Sequence, residues 1–164
     1  MKICQLCAVD FTLKRLIIPL VDAQLNQGHF VKSVCSFGGH LDDLKRKGYK
    51  IEVIPIERNL SPVKGLVSIW RLFLFFRKES FDVVHVHTPV AAFLARIAAF
   101  FARVPLVVYT AHGFYFHDEM PALKRLVFIS AEIAMRPLTD LLFTQSQEDA
   151  ANAASLKIMN KKRI

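Results

Sequence analysis

Two stretches of this sequence set histidine against a turn. In "VVHVHTP", residues 83–89, an apolar run carries His85 and His87 and breaks at Thr88-Pro89; in "VVYTAHGFYFH", residues 107–117, a second run breaks at His112-Gly113 and ends at His117. Four of the six histidines of the chain fall in these two segments. Packing alone does not require such a pairing. An imidazole at a strand end can move a proton, meet a developing charge or ligate a metal. Glycine beside it lets a phosphate or sugar approach the backbone, and a threonine ahead of a proline-started helix is placed to offer a hydroxyl. The candidate ligand residues are therefore His87, Thr88, His112, Gly113 and Phe114. His85 shares a face with His87 but sits deeper in its strand, and reads as structural.

Metal binding is the rival chemistry, because H-x-H can chelate and His112 with His117 could complete a set. No acidic residue occurs between Asp82 and Asp118, whereas a hydrolytic metal centre recruits a carboxylate, so no metal is expected. The turn after the first strand, "CAVDFT", lacks the G-x-G-x-x-G fingerprint, which argues against a nicotinamide cofactor.

The elements that position these corners alternate. "KICQLCAV", "HFVKSVCSF", "YKIEVIPI", "FDVVHVH", "VPLVVYT" and "TDLLFTQ" read as six strands. Helical periodicity fills the gaps at 12–27, 39–47, 62–79, 90–103, 121–136 and 146–157. Gly28 and Gly48 close helices, Pro62, Pro89 and Pro121 open them, and Ser146 with Asp149 forms a capping box. Alternation of this kind gives a doubly wound α/β fold, a Rossmann-like parallel sheet with helices on both faces. Ligands of such sheets bind beyond the carboxyl ends of the strands, where both histidine corners fall. Glu132 and Arg136, spaced i, i+4, read as a surface pair, and "KIMNKKRI" reads as the start of a further strand.

With 164 residues, 53% of them hydrophobic, the chain supports one core. Its net charge of +8 and pI near 9.6 call for an anionic partner. Cys4, Cys7 and Cys35, odd in number and set in apolar runs, read as reduced core thiols and a cytoplasmic chain. No secretory leader is read at Met1-Lys2, and Arg71, Arg96 and Arg103 interrupt the longest apolar stretches, leaving no membrane span.

Residues 58–78 carry Arg58, Lys64, Arg71, Arg77 and Lys78 with no acidic residue. Leu66, Ile69, Trp70, Phe73 and Phe76 are expected to face the sheet, which leaves Val67, Leu72, Leu74 and Phe75 for other faces. A basic helix with spare apolar side chains fits two occupants: an anionic membrane surface, or a second domain or dimer partner. For the membrane, Lys64, Trp70, Arg71, Phe75, Arg77 and Lys78 are the contact candidates. No basic and aromatic groove suggests nucleic acid.

"DVVHVHTP", "ARIAAFFARVPLVVYTAHGFYF" and "TDLLFTQSQEDA" together resemble the N-terminal domain of the family 4 (group 1) glycosyltransferases, particularly bacterial enzymes of capsular and exopolysaccharide synthesis. The similarity covers essentially the whole chain. It implies one half of a GT-B fold, in which an acceptor-binding N-terminal domain faces a domain that holds the nucleotide sugar. It implies transfer with retention and no bound metal or cofactor, the nucleotide sugar being a cosubstrate. His112 is then the catalytic residue against the donor sugar, with His87, Thr88, Gly113 and Phe114 lining the cleft. The family's second domain, with its diphosphate-binding basic residues and paired glutamates, is not found in these residues. The chain therefore reads as a truncation, an excised domain or the acceptor half of a split enzyme, inactive alone. The implied partners are a sugar or lipid-linked sugar acceptor and a donor-binding domain or subunit, at the inner face of the membrane. The rival reading is a non-catalytic binding or membrane-recruitment subunit that pairs with a separate donor domain.

Overall fold

Short runs of Val, Ile, Leu and Cys between turn residues become strands because such side chains suit a pleated surface that is covered on both sides. The computed structural model describes residues 1–56, 62–117 and 119–164. The strands are β1 (Lys2–Leu6), β2 (Phe30–Cys35), β3 (Ile51–Val53), β4 (Val83–His87), β5 (Leu106–Ala111) and β6 (Leu141–Thr144). All pairings are parallel, in the order β3-β2-β1-β4-β5-β6. The helices are α1 (Asp10–Thr12), α2 (Ile18–Asn26), α3 (Leu41–Arg46), α4 (Pro62–Glu79), α5 (Pro89–Ala102), α6 (Ala122–Met135) and α7 (Gln147–Ser155). This is the expected doubly wound, Rossmann-like sheet.

Each face of the sheet has its own core. Leu13, Ile17 and Val21 pack with Leu41 and Leu44 of α3 against Ile3, Val31 and Val108. On the other face Leu72 and Phe76 of α4, the alanines of α5 and Ile129 of α6 pack against Cys4, Leu6, Val84 and Tyr109. Cys4, Cys7 and Cys35 are buried free thiols. Burial pushes the Cys35 thiol up to about 12 and those of Cys4 and Cys7 higher still.

Local chemistry sets the boundaries. Gly28 and Gly48 take φ of 79° and 93° after their helices, where a side chain would be strained. The Ser146 hydroxyl accepts the Asp149 amide N–H at 3.0 Å. The helix expected over 12–27 begins at Asp10 and contains a π-helical turn, Leu13–Ile17. The wider turn precedes Pro19, which lacks the N–H for a bond to Arg15 and would clash with its carbonyl.

Three expectations are corrected. "KIMNKKRI" forms no strand: Ile158 and Met159 are buried against the core, and Lys161–Arg163 is a 3-10 turn. Arg163 Nε donates to the Asp140 carbonyl at 2.7 Å. Glu132 is not a surface partner of Arg136 but is buried, with Oε2 2.9 Å from Nη2 of the buried Arg96. The same guanidinium donates to the carbonyl of Ala92 and the hydroxyl of Thr139 and lies over the Tyr109 ring, 4.5 Å from its centroid. A buried arginine on an otherwise apolar helix needs such a partner, and Glu132 of α6 supplies it.

The third correction concerns α4. Its buried stripe is Ser68, Leu72, Phe75 and Phe76, while Leu66, Val67, Trp70 and Leu74 are exposed and Ile69 and Phe73 are half-buried. Phe75, a candidate membrane contact, is thus a core residue. The helix is apolar around most of its circumference, so periodicity leaves its rotation open. Ser68 helps to fix that rotation, because its hydroxyl donates 2.7 Å to the carbonyl of Pro55 beside the sheet. Arg58 lies outside the described residues.

Candidate functional site

The sheet reverses its winding between β1 and β4, and the loops that leave these strands part to form the crevice of a doubly wound fold. Parallel register sets Gln5 of β1 beside His85 of β4, and His87 beside Thr110 of β5. The two-residue period then puts Gln5, His85, His87 and Thr110 on one face, against the α1–α3 side. Gln5 is fully buried, His87 is 2% exposed and His85 8% exposed, so all three side chains need partners within the protein.

They find them in one another. Gln5 Nε2 donates to Gln24 Oε1 of α2 at 3.0 Å and lies 3.3 Å from His85 Nδ1. Gln5 Oε1 is 2.8 Å from His87 Nε2, and His87 Nδ1 is 3.0 Å from His112 Nε2. His85 Nε2 is 2.7 Å from Thr110 Oγ1. Burial, and next the nearby His112, holds the His85 imidazole down to about 4; burial, with His85 and His112 adding to it, holds His87 down to about 2. Both rings are neutral near pH 7. The network ends at His112 Nδ1, which is sealed from solvent without a hydrogen-bond partner among the described residues.

The other candidates flank this line. Thr88 adopts φ 67°, ψ 136°, a conformation that costs a β-branched residue on the order of 1–3 kcal/mol. It turns β4 into α5 there, accepts the Ala92 amide at 2.8 Å, and sets its hydroxyl 3.4 Å from the Ala8 amide across the crevice. Gly113 takes φ 99°, and open space surrounds the position of a Cβ. Phe114 is half-buried and stacked on Phe116, with centroids 5.0 Å apart. Past it, Pro89, Val90, Phe93, Tyr115 and Phe128 line an apolar groove of about 180 Å³ between α5 and α6. A depression of about 310 Å³ around His29, Phe30 and Lys50 lies at the amino ends of β2 and β3, the wrong end of the sheet for a ligand.

The structure thus joins His87, Thr88, His112 and Gly113 at one corner with Phe114 beside them. His85 is buried in the polar network rather than in apolar packing. His117 is exposed at the far end of its segment, and no group of three or more His, Cys, Asp or Glu among the described residues is placed to hold a metal ion. Lys64, Trp70, Arg71, Arg77 and Lys78 lie exposed on α4.

Sequence reasoning missed two residues. Gln5 connects the histidines, and its signal was a polar side chain inside a strand buried on both faces. Asp10, buried at the end of the β1 loop, accepts the His40 amide at 2.7 Å, and a Cβ on Gly38 would meet its carboxylate at 2.1 Å. It clasps the loops after β1 and β2 together.

The glycosyltransferase family 4 profile matches residues 14–164. The UDP-Gal:alpha-D-GlcNAc-diphosphoundecaprenol alpha-1,3-galactosyltransferase of Escherichia coli is 33% identical over 125 residues, covering 76% of this chain and 32% of that enzyme. The capsular polysaccharide biosynthesis glycosyltransferase CapM of Staphylococcus aureus is 30% identical over 90 residues, covering 55% of this chain and 24% of its own length. This chain spans about a third or less of either relative. Anabaena HepE, in a crystal structure with UDP and glucose, superposes with a TM-score of 0.74 at 16% identity, over 99% of this chain and 42% of that one. That likeness shows the fold alone, one Rossmann-like half of a GT-B architecture. The profile match over most of the chain shows more: it belongs to glycosyltransferase family 4.

Proposed function

We propose that this chain forms the acceptor side of a cleft in which a sugar passes from a nucleotide sugar to a sugar or lipid-linked sugar, with retention at the transferred carbon, in cell-surface polysaccharide synthesis. The observation that carries the reading is the buried Gln5–His87–His112 line at the β1/β4 crevice, ending on a nitrogen with no partner among the described residues. A buried nitrogen left unmet costs about 1–3 kcal/mol, which a substrate hydroxyl would relieve once the His112–Phe114 corner shifts to admit it. The diphosphoundecaprenol named for the Escherichia coli relative is the kind of acceptor that fits a basic, apolar chain. Donor binding and turnover are assigned to a second domain opposite this one. The 164-residue chain, given UDP-sugars and diphospholipid-linked sugars, should form no product alone and should form it when a donor-binding half is added. Product from the chain by itself would overturn this division of labour; product at the same rate with His112→Ala would remove His112 from the catalytic machinery and make its corner scaffolding.

The same reading places the chain at the inner face of the membrane through α4. Val63, Leu66, Val67, Trp70 and Leu74 form an exposed apolar stripe, flanked by the exposed Lys64, Arg71, Arg77 and Lys78. No helix among the described residues is long and apolar enough to cross a membrane, so attachment would be interfacial. Each basic side chain near an anionic surface contributes about 1 kcal/mol. The chain should co-sediment with vesicles rich in phosphatidylglycerol, less so as salt rises, with a blue shift of Trp70, its single tryptophan. An Arg71→Glu, Arg77→Glu variant should pellet far less. Equal pelleting of the two proteins would refute membrane contact, and concentration-dependent dimerisation would assign the stripe to a second copy instead.

A further inference from the structure

Gln5 carries one amide oxygen and one NH2 group, and their orientation dictates every proton that follows. Here the oxygen faces His87 Nε2 and the NH2 faces Gln24 Oε1 and His85 Nδ1. His87 Nε2 must then carry its ring's proton, because an amide oxygen can only accept. A neutral imidazole has a single N–H, so His87 Nδ1 accepts and His112 Nε2, 3.0 Å away, donates to it. His112 Nδ1 is left with a bare lone pair. The other branch agrees: His85 Nδ1 accepts from Gln5, so its Nε2 donates to Thr110 Oγ1. The low proton affinity of the two buried rings keeps each of them to one N–H near pH 7.

A half-turn of the Gln5 amide would reverse the links together. His87 would donate through Nδ1, His112 would accept at Nε2, and His112 Nδ1 would bear an N–H sealed from solvent with no acceptor among the described residues. Orphaned buried N–H groups are among the rarest features of folded proteins, so burial at the far end favours the orientation observed at Gln5.

We infer that Gln5 is a positioning residue that, through His87, fixes His112 as its Nε2–H tautomer and so reserves Nδ1 as a hydrogen-bond acceptor. The group His112 can meet is consequently a donor, a sugar hydroxyl, and not an unprotonated phosphate oxygen. That consequence rests on the reading of His112 as the substrate contact; the tautomer lock does not. Gln5 would act without touching substrate, from a strand interior, by the rule that the partner of one ring nitrogen decides the state of the other.

Long-range proton–nitrogen correlation spectra of the 15N-labelled chain at pH 7 read imidazole tautomers directly. The wild type should show His85, His87 and His112 each as a single Nε2–H tautomer. Gln5→Leu should convert His87 and His112 to mixed tautomers, and His87→Phe should free His112 in the same way, so either variant serves if the other fails to fold. His85→Phe, which leaves the Gln5–His87–His112 line in place, should keep His112 locked. A wild-type His112 with Nδ1–H, or an unchanged single tautomer in a folded Gln5→Leu or His87→Phe chain, overturns the lock. Transfer rates in a chain supplied with its donor half separate the two ideas. A freed His112 with undiminished turnover would remove its catalytic role and keep the lock; a His112 that stays locked would do the reverse.

Discussion

Glu132→Ala is expected to cost the folded chain about 3–5 kcal/mol, the range for removing one partner of a buried ion pair. Glu132 accepts Arg96 Nη2 at 2.9 Å and the Tyr109 hydroxyl at 3.4 Å, and Arg96 is 2% exposed. Truncation leaves a guanidinium with no countercharge, unable to reach water, between α5, α6 and β5. Such a loss is a large part of the 5–15 kcal/mol that holds a typical domain together. It should lower the melting temperature by roughly 10 °C in a protein of this size. Urea unfolding of wild type, Glu132→Ala and the double variant Arg96→Met, Glu132→Leu separates the causes. The single variant should fall steeply, and the double variant should recover most of the loss, because burying two apolar groups avoids desolvating either charge. A Glu132→Ala loss below about 1 kcal/mol, the range of exposed pairs, would show that the pair is solvated.

His112→Ala carries the second large effect, in the chain completed by a donor-binding half. If the imidazole meets the substrate most strongly as the glycosidic bond breaks, its removal lowers kcat and leaves donor affinity nearly intact. A preorganised polar group at such a site is worth roughly 100-fold to 1000-fold in rate. The fold should tolerate the change, because His112 is at a strand end and one of its nitrogens has no hydrogen bond to lose among the described residues. His85→Ala is the contrasting control. It opens a hole beside Gln5 and strands an amide hydrogen, so it should lower the melting temperature and reduce activity only in proportion to folded protein. Full activity per folded molecule in His112→Ala would make the His-Gly corner scaffolding.

The corner was legible in the sequence because strand ends and breaks are local. His87-Thr88-Pro89 and His112-Gly113 each follow an apolar run, and a doubly wound topology brings carboxyl ends of neighbouring strands together by rule. Gln5 was not legible as a partner. Its pairing with two histidines about eighty positions away depends on β1 lying between β2 and β4, and on the register that sets it beside His85. Nor was the fate of Glu132: a helical spacing to Arg136 is visible in one dimension, whereas the guanidinium of Arg96 comes from another helix.

By itself the sequence determined the alternation of six strands with helices, the caps and breaks at Gly28, Gly48, Pro62, Pro89 and Ser146, and the family. These follow from periodicity, backbone restriction and short motifs, all of which act within a few residues. Only the tertiary structure decided which face of α4 is buried, which partner neutralises Arg96 and which nitrogen of His112 is free. On a helix apolar over most of its circumference, periodicity leaves several rotations open, and packing of Leu72, Phe75 and Phe76 with the bond from the Ser68 hydroxyl to the Pro55 carbonyl fixes one. A buried charge or imidazole takes its state from whatever atoms the fold brings within about 3 Å, and no spacing along the chain records that distance.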